Sequence, residues 1–148
     1  MPKSPPKKFI TFLAAASSAA FLSACISISE RLQSVLAPAA NIGDSVSCQA
    51  ECKDEWQRAQ LWIVKHSGWK IQIATDVVIQ TYNPAKSTYG FSITREPAGG
   101  GSYTIRMEVA CGDDWCDPKP LDARNAFYYY VKTGTDLLLG QGYLSAIR

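Results

Sequence analysis

The hydrophobic positions follow a helical period between about Gln49 and His66. Apolar side chains recur there at positions i, i+4, i+7 and i+11, and Trp62 lies beside them. The residues of this face are Cys52, Trp56, Ala59 and Ile63. Their spacing predicts an amphipathic helix, which Ser47 is placed to cap and which Ser67-Gly68 would end.

After this helix the hydrophobic period changes to two, which indicates a strand with one buried face. Odd positions from Trp69 to Thr81 are mostly apolar, whereas even positions such as Lys70 and Gln72 are mostly polar. The stretch 69–82 exceeds the usual maximum strand length of about ten residues. We therefore expect a break at Thr75-Asp76, with strands at about 69–75 and 77–82, and a single unbroken strand is the alternative.

The second half of the chain predicts a hairpin and a final helix. Strands at 89–95 and 102–111 flank the turn sequence EPAGGG, and the last helix would end at Thr133-Gly134. The buried face of that helix would contain Ala123, Ala126, Phe127, Tyr130 and Val131. The chain thus contains a helix, then three or four antiparallel strands, then a second helix. This order predicts an α+β fold of two layers, with both helices on one face of the sheet.

Residues 1–24 have the pattern of an export signal. Basic residues precede an uncharged run of 14 residues, Phe9 to Leu22, which is too short for a membrane span of about 20. Leu22-Ser23-Ala24-Cys25 resembles the lipobox of bacterial lipoproteins, in which the cysteine thiol accepts a diacylglyceryl group. We therefore expect Cys25 to be lipidated and to hold the chain to a membrane. An ordinary signal peptide with an incidental cysteine is the alternative.

The residue after Cys25 is Ile26, and not the aspartate that marks retention at the inner membrane in such lipoproteins. The resemblance therefore implies an outer-membrane anchor that faces the periplasm. Residues 25–47 are rich in Ser, Ala, Pro and Gly and are interpreted as a tether with a short helix at 29–36. The domain would span 48–134 and a C-terminal tail 135–148.

Charge and cysteine content narrow the class of protein. Three of the 15 basic residues lie in the signal, which leaves 12 against 13 acidic residues and no basic stripe for nucleic acid. The four cysteines of the domain are Cys48, Cys52, Cys111 and Cys116. In an oxidising periplasm these predict disulfides rather than a zinc site. Four strands favour the local pairs Cys48–Cys52 and Cys111–Cys116, whereas three strands would allow cross-links between the pairs.

Two spaced motifs in the core resemble uncharacterised lipoproteins of Gram-negative bacteria. They are W-x-x-A-Q-L-W at 56–62 and K-I-Q-x-x-T-D-x-x-I at 70–79, and the likeness covers most of residues 52–112. This resemblance implies the location and the fold of the chain, and it implies no activity.

The residues that carry catalytic chemistry are few. His66 is the single histidine and is expected at the partly exposed end of the first helix, with no orienting acid or nucleophile apparent beside it. The acidic residues Asp113, Asp114 and Asp117 could hold calcium, but their spacing differs from an EF-hand and a solvated loop explains them as well. No metal and no cofactor is expected.

Large aromatic residues remain after the periodic core positions are filled. Trp115 lies between two cysteines, and Tyr128 and Tyr129 point away from the predicted buried face of the last helix. Such residues are enriched in binding hot spots. The leading hypothesis is a non-enzymatic lipoprotein that binds an envelope protein or the cell wall through these three residues. A periplasmic ligand-binding protein or enzyme with a sheet-side pocket is the alternative, and a soluble inhibitor is a third possibility.

Overall fold

The fold is built on one antiparallel sheet of five strands. The computed structural model describes residues 28–49 and 52–138. Its elements are α1 (Ile28–Leu36), a 3-10 helix (Ala37–Ala39), β1 (Val46–Cys48), α2 (Lys53–His66), β2 (Ile71–Ala74), β3 (Val78–Thr81), β4 (Tyr89–Gly99), β5 (Ser102–Cys111) and α3 (Pro120–Thr133). The strand order is β1-β5-β4-β3-β2. Helices α2 and α3 pack on each other, α2 on β4 and α3 on β5. The predicted α+β class is therefore confirmed, with five strands in place of three or four.

The expected break at Thr75-Asp76 is present. The Thr75 hydroxyl oxygen accepts hydrogen bonds from the backbone N–H groups of Val77 and Val78, at 3.2 and 3.0 Å, which closes the turn between β2 and β3. β2 contains a bulge between Ile71 and Ile73, because Ala74 lies opposite Ile79 whereas Ile71 lies opposite Thr81. The bulge shifts the pairing of β2 with β3 by one residue. The alternation of apolar and polar residues, which is unbroken in the sequence, therefore spans two strands.

The segment predicted as a tether contributes α1, the 3-10 helix and most of β1 to the domain. Leu32 and Leu36 of α1 are buried in the core, as is Val46 of β1. β1 pairs with the start of β5, with Ser47 opposite Thr104. The fifth strand of the sheet therefore comes from residues that the composition had assigned to a linker, and the folded unit includes residues from Ile28 onward.

Helix α2 begins later than the sequence predicted. Its first residue is Lys53 rather than Gln49, and the residue that caps it is Cys52, which has a left-handed φ of 52° and no side-chain capping bond. Ser47 lies in β1, so the predicted Ser47 cap is wrong. The predicted end is confirmed, because the helix stops at His66 and Ser67 is its C-cap. Helix α3 ends at Thr133, and its C-cap is Gly134, whose φ of 77° suits glycine.

The hairpin between β4 and β5 is longer than predicted. β4 continues through Pro97 to Gly99, with a register shift between these two residues, and only Gly100 and Gly101 form the turn. Both glycines have positive φ, at 60° and 78°.

The core lies between the sheet and the two long helices. Trp62 of α2 is fully buried, and its ring meets those of Phe91 on β4 and Phe127 on α3 at centroid distances of 5.5 and 5.4 Å. The opposite face of the sheet has no helix on it in the described ranges, and polar or half-exposed residues line it: Gln80, Ser92, Thr94, Arg106 and Glu108. None of the described helices has the length and apolar character that a membrane crossing requires.

Candidate functional site

A small loop closed by a disulfide follows β5. Cys111 and Cys116 are bonded, with their Cα atoms 6.1 Å apart. The bond encloses Gly112, Asp113, Asp114 and Trp115, and Cys116 itself is buried. The backbone N–H of Gly112 donates to the carbonyl oxygen of Thr88 at 3.1 Å, and the Sγ atom of Cys116 lies 3.6 Å from the same oxygen, so the loop is fastened beside the start of β4.

The side chain of Asp113 organises this loop from within. Its carboxylate accepts a hydrogen bond from the backbone N–H of Trp115 at 2.9 Å and another from the Ser87 hydroxyl at 3.0 Å. The Trp115 N–H bond is the main reason that the pKa of the Asp113 carboxyl lies below its ordinary value, and Ser87 and the charge of Lys86 act in the same direction. The backbone at Trp115 is thus held by a charge-assisted bond as well as by the disulfide.

Trp115 projects from this braced loop into solvent. Its side chain is 82% exposed, the largest exposure among the described large hydrophobic residues. Trp115 therefore does not fold back to seal the end of the sheet. Burial of the large tryptophan side chain is a large part of what makes such residues binding hot spots, and most of this side chain is still available for burial.

Tyr128 lies in the core and not on a binding surface, which corrects the prediction for this residue. It is 1% exposed, and its hydroxyl accepts a hydrogen bond from the backbone N–H of Met107 at 2.8 Å. Burial raises the pKa of Tyr128. β1 pairs with β5 only as far as Ile105, so Met107 lies beyond the end of β1. The Tyr128 hydroxyl is the hydrogen-bond partner of the Met107 N–H there.

Tyr129 is half-buried on α3. It lies nine residues beyond the first residue of that helix, or about 13 Å along its axis at 1.5 Å per residue. Trp115 precedes the helix. The two residues therefore do not form one compact patch, and the predicted three-residue surface reduces to Trp115.

The second disulfide lies at the other end of β5. Cys48 and Cys52 are bonded with a Cα separation of 5.2 Å, and both sulfurs lie within 3.8 Å of the carbonyl oxygen of Tyr103. Cys111, by contrast, lies opposite Tyr89 at the far end of the strand. The cysteines thus form the two local pairs expected for four strands between residues 69 and 111.

The disulfide Cys111–Cys116 also limits what the loop that it closes, called the cysteine loop below, can bind. Cys111, Asp113 and Cys116 lie within 4.8 Å of one another, the spacing of a possible metal site. The two sulfurs are bonded to each other, however, and a disulfide sulfur is not a thiolate ligand. Both Asp113 oxygens accept a hydrogen bond from Ser87. The interpretation of this loop as a solvated turn is thus preferred to a calcium site.

A buried pair that the sequence did not predict involves His66. The Nε2 atom of His66 lies 2.8 Å from Oδ2 of Asp136, and both side chains are buried. The His66 ring also lies 4.5 Å from the ring of Trp62. Two expectations are therefore wrong: His66 is not partly exposed, and an acid does orient it. The other oxygen of Asp136 accepts the Leu138 N–H, so the pair fastens the segment after α3 to the end of α2.

A cleft of about 700 Å³ opens at the start of β2. Its described lining is Gly68, Trp69, Lys70, Gln72, Tyr82 and Asn83. Trp69 is 38% exposed and Tyr82 is 49% exposed. The indole N–H of Trp69 donates to the Thr88 hydroxyl at 2.8 Å, so the cleft lies beside the same Thr88 whose carbonyl accepts the Gly112 N–H of the cysteine loop. Trp69 thus lies at the rim of the core.

The segment 84–86 passes over two glycines next to this cleft. A Cβ on Gly90 would lie 2.6 Å from Cδ of Pro84, and a Cβ on Gly112 would lie 2.6 Å from the carbonyl carbon of Ala85. Neither distance leaves room for a side chain. The segment therefore lies directly against the start of β4 and the residue that follows β5. It runs between the cleft and the cysteine loop.

Cys25, the predicted lipidation site, lies outside the described residues. Comparisons of the chain with protein-family models, with curated proteins and with solved structures find no match. The functional argument consequently rests on the geometry at this end of the molecule.

Proposed function

We propose that the chain is a membrane-anchored lipoprotein of the cell envelope, with no catalytic role, whose cysteine loop binds an envelope protein. The anchor would be acylated Cys25, and the location the periplasmic face of the outer membrane. The observation that supports a binding role is Trp115, an almost fully exposed tryptophan on a loop braced by a disulfide.

Rigidity gives Trp115 an energetic advantage over an exposed residue on a free loop. Association costs conformational freedom at every side chain and loop that becomes ordered. The Cys111–Cys116 bond and the Asp113–Trp115 hydrogen bond have already restricted the backbone of this loop. A partner that receives the indole therefore orders little beyond the ring itself.

The charge around Trp115 indicates the chemistry of the partner. Asp114 and Asp117 are exposed and flank Trp115 in the sequence, and Asp113 is half-buried in the same loop. An apolar pocket with basic residues at its rim would receive the ring and complement these carboxylates. Exposed charges of this kind affect the rate of association and its salt dependence more than the final affinity.

Photo-crosslinking in cells tests this function. A photoreactive residue at position 115 should form one discrete adduct with an envelope protein, whereas the same residue at Val64, which is exposed on α2, should not. Trp115→Ala should then weaken capture of that protein at least tenfold with an unchanged melting temperature. Equal adducts from both positions, or a large fall in melting temperature without loss of capture, would contradict the proposal.

The lipid anchor is tested separately by mass spectrometry of membrane fractions. The expected result is an acylated Cys25 at the mature N-terminus, and a Cys25→Ala chain that leaves the membrane fraction. An unmodified Cys25 would remove the anchor from the proposal and leave the loop surface as it is.

The alternative of a ligand-binding protein also has an observation in its favour. The cleft at Trp69 and Tyr82 has the volume of a small-molecule site, since such sites usually measure about 300–1,000 Å³. It uses residues other than Trp115, so both activities are compatible with one domain.

A further inference from the structure

We propose that the cleft between Trp69 and Tyr82 binds a saccharide chain that carries carboxylate groups. This inference concerns different residues from the cysteine loop and does not depend on the partner of Trp115.

Two aromatic rings in one open cleft suit the apolar face of a sugar. The face of an aromatic ring is electron-rich, so it attracts the weakly positive C–H groups that one side of a pyranose presents. Trp69 and Tyr82 both line the cleft and both keep a large exposed area. A sugar ring stacked on either of them would bury apolar surface on both partners while its hydroxyls stay in water.

The ring of Trp69 and the backbone at Tyr82 are held in place before any ligand arrives. The indole N–H of Trp69 donates to the Thr88 hydroxyl, and the backbone N–H of Tyr82 donates to the carbonyl of Lys70 at 3.2 Å. The second bond pairs the backbones of Lys70 and Tyr82 one residue beyond the pair Ile71–Thr81, and opposed residues of paired strands share one face of a sheet. Both residues line the same cleft.

Lys70 supplies the preference for an acidic ligand. Among the described residues of the lining it carries the one charge, and the remaining polar side chains are the amides of Gln72 and Asn83. Amides both donate and accept hydrogen bonds, which matches the hydroxyl and acetamido groups of sugars. A neutral sugar would satisfy the rings and the amides, and a carboxylate would pair with Lys70 as well.

An extended peptide fits this edge less well than a saccharide. Strand addition needs a regular row of backbone donors and acceptors on the outer edge of β2. The bulge between Ile71 and Ile73 interrupts that row at the position of Gln72, within the cleft. The cleft is also too open to enclose a compact apolar ligand, which needs most of its surface covered.

Tryptophan fluorescence and calorimetric titrations of the full chain test the proposal. The acidic probes are tetragalacturonate and a disaccharide that contains N-acetylmuramic acid, which separate a uronate ligand from a cell-wall glycan. The neutral probe is chitotetraose, and tetra-aspartate is the peptide probe. We expect the acidic saccharides to bind about threefold to fivefold more tightly than chitotetraose, because an exposed ion pair contributes little more.

Three variants assign the binding to the cleft. Lys70→Gln should bring the acidic saccharides to the affinity of the neutral one, while the control Lys53→Gln, at an exposed position of α2, should not. Tyr82→Ala and Trp69→Ala should each weaken every saccharide by about tenfold, and Trp115→Ala should weaken none. Tyr82→Ala removes an exposed ring, so it keeps the test valid if Trp69→Ala unfolds the chain.

Three results would overturn the proposal. The first is the absence of binding by any saccharide probe at millimolar concentration. The second is unchanged saccharide affinity in folded Tyr82→Ala protein. The third is tetra-aspartate binding as tightly as tetragalacturonate, which would make the cleft a general site for anions.

Discussion

The cysteine loop around Trp115 and the inner face of α3 around Tyr128 use large aromatic residues for opposite purposes. Tyr128 is enclosed by the sheet and its hydroxyl completes the hydrogen bonding of β5, whereas Trp115 is exposed and held only through its backbone. Helix α3 contacts α2, β1, β5 and the 3-10 helix, so more than one of its faces is buried. The difference shows that the number of neighbours of an element, rather than the residue type, decides which aromatic ring reaches solvent.

The largest expected effect separates the two residues by stability. Tyr128→Ala should lower the free energy of unfolding by about 3–5 kcal/mol, because it removes a fully buried ring and leaves a cavity. Trp115→Ala should lower it by less than about 0.5 kcal/mol, as for other exposed positions. Urea denaturation of both variants measures this. Losses of similar size in the free energy of unfolding would contradict the conclusion that Tyr128 is a core residue and Trp115 a surface residue.

Removal of the loop disulfide has the next largest effect. A bond between cysteines five positions apart stabilises by about 2 kcal/mol in the chain-entropy account. Cys111→Ala/Cys116→Ala should show this loss in urea denaturation and should also weaken capture by the loop. The matched pair Cys48→Ala/Cys52→Ala should lose stability without a selective loss of capture. Selective loss in both pairs would imply that the two ends of β5 act together.

A smaller effect isolates the hydroxyl of Tyr128. Tyr128→Phe keeps the ring but leaves the Met107 N–H without its partner, which should cost about 1–3 kcal/mol. Tyr129→Phe, on the half-buried side of the same helix, is the control and should change the free energy of unfolding by less than about 0.5 kcal/mol. Equal effects in urea denaturation would show that the Met107 bond contributes nothing specific.

The smallest expected effect is confined to the loop. The pKa of Asp113 is lowered in the folded chain, so its bond to Trp115 is complete above the ordinary value of 3.8 and is lost as pH falls through the lower folded pKa. The Trp115 amide resonance should therefore titrate below pH 3.8. Asp113→Asn should abolish this titration and Asp114→Asn should preserve it. A midpoint above 3.8 would contradict the assignment.

The elements that could be predicted from the sequence are those that a local pattern or a length limit defines. The end of α2, the break at Thr75-Asp76 and the main hairpin all follow from turn residues and strand length. The bulge in β2 could not be predicted, because it leaves the alternation of the sequence unchanged. β1 has only three residues, too few for a period, and its pairing with β5 is a long-range contact.

The candidate site was predicted only in part for a related reason. Trp115 follows from its position between two cysteines, a local feature. Tyr128 was misassigned because the helical period assumes a single buried face. The pairing of His66 with Asp136 and the shared cleft of Trp69 and Tyr82 involve positions that are distant in the chain, and a single sequence contains no signal for either.

The two glycines beneath the segment 84–86 have a consequence for recognising relatives of this chain. Neither Gly90 nor Gly112 needs a positive φ, so their requirement is steric: a methyl group at either position would lie 2.6 Å from an atom of the crossing segment. Surface aromatic residues and lysines can diverge while the fold persists, but these positions cannot accept alanine unless the crossing moves. A sequence search that requires glycine at both positions, with a cysteine directly before the second, should therefore detect relatives whose overall sequence identity to this chain is low.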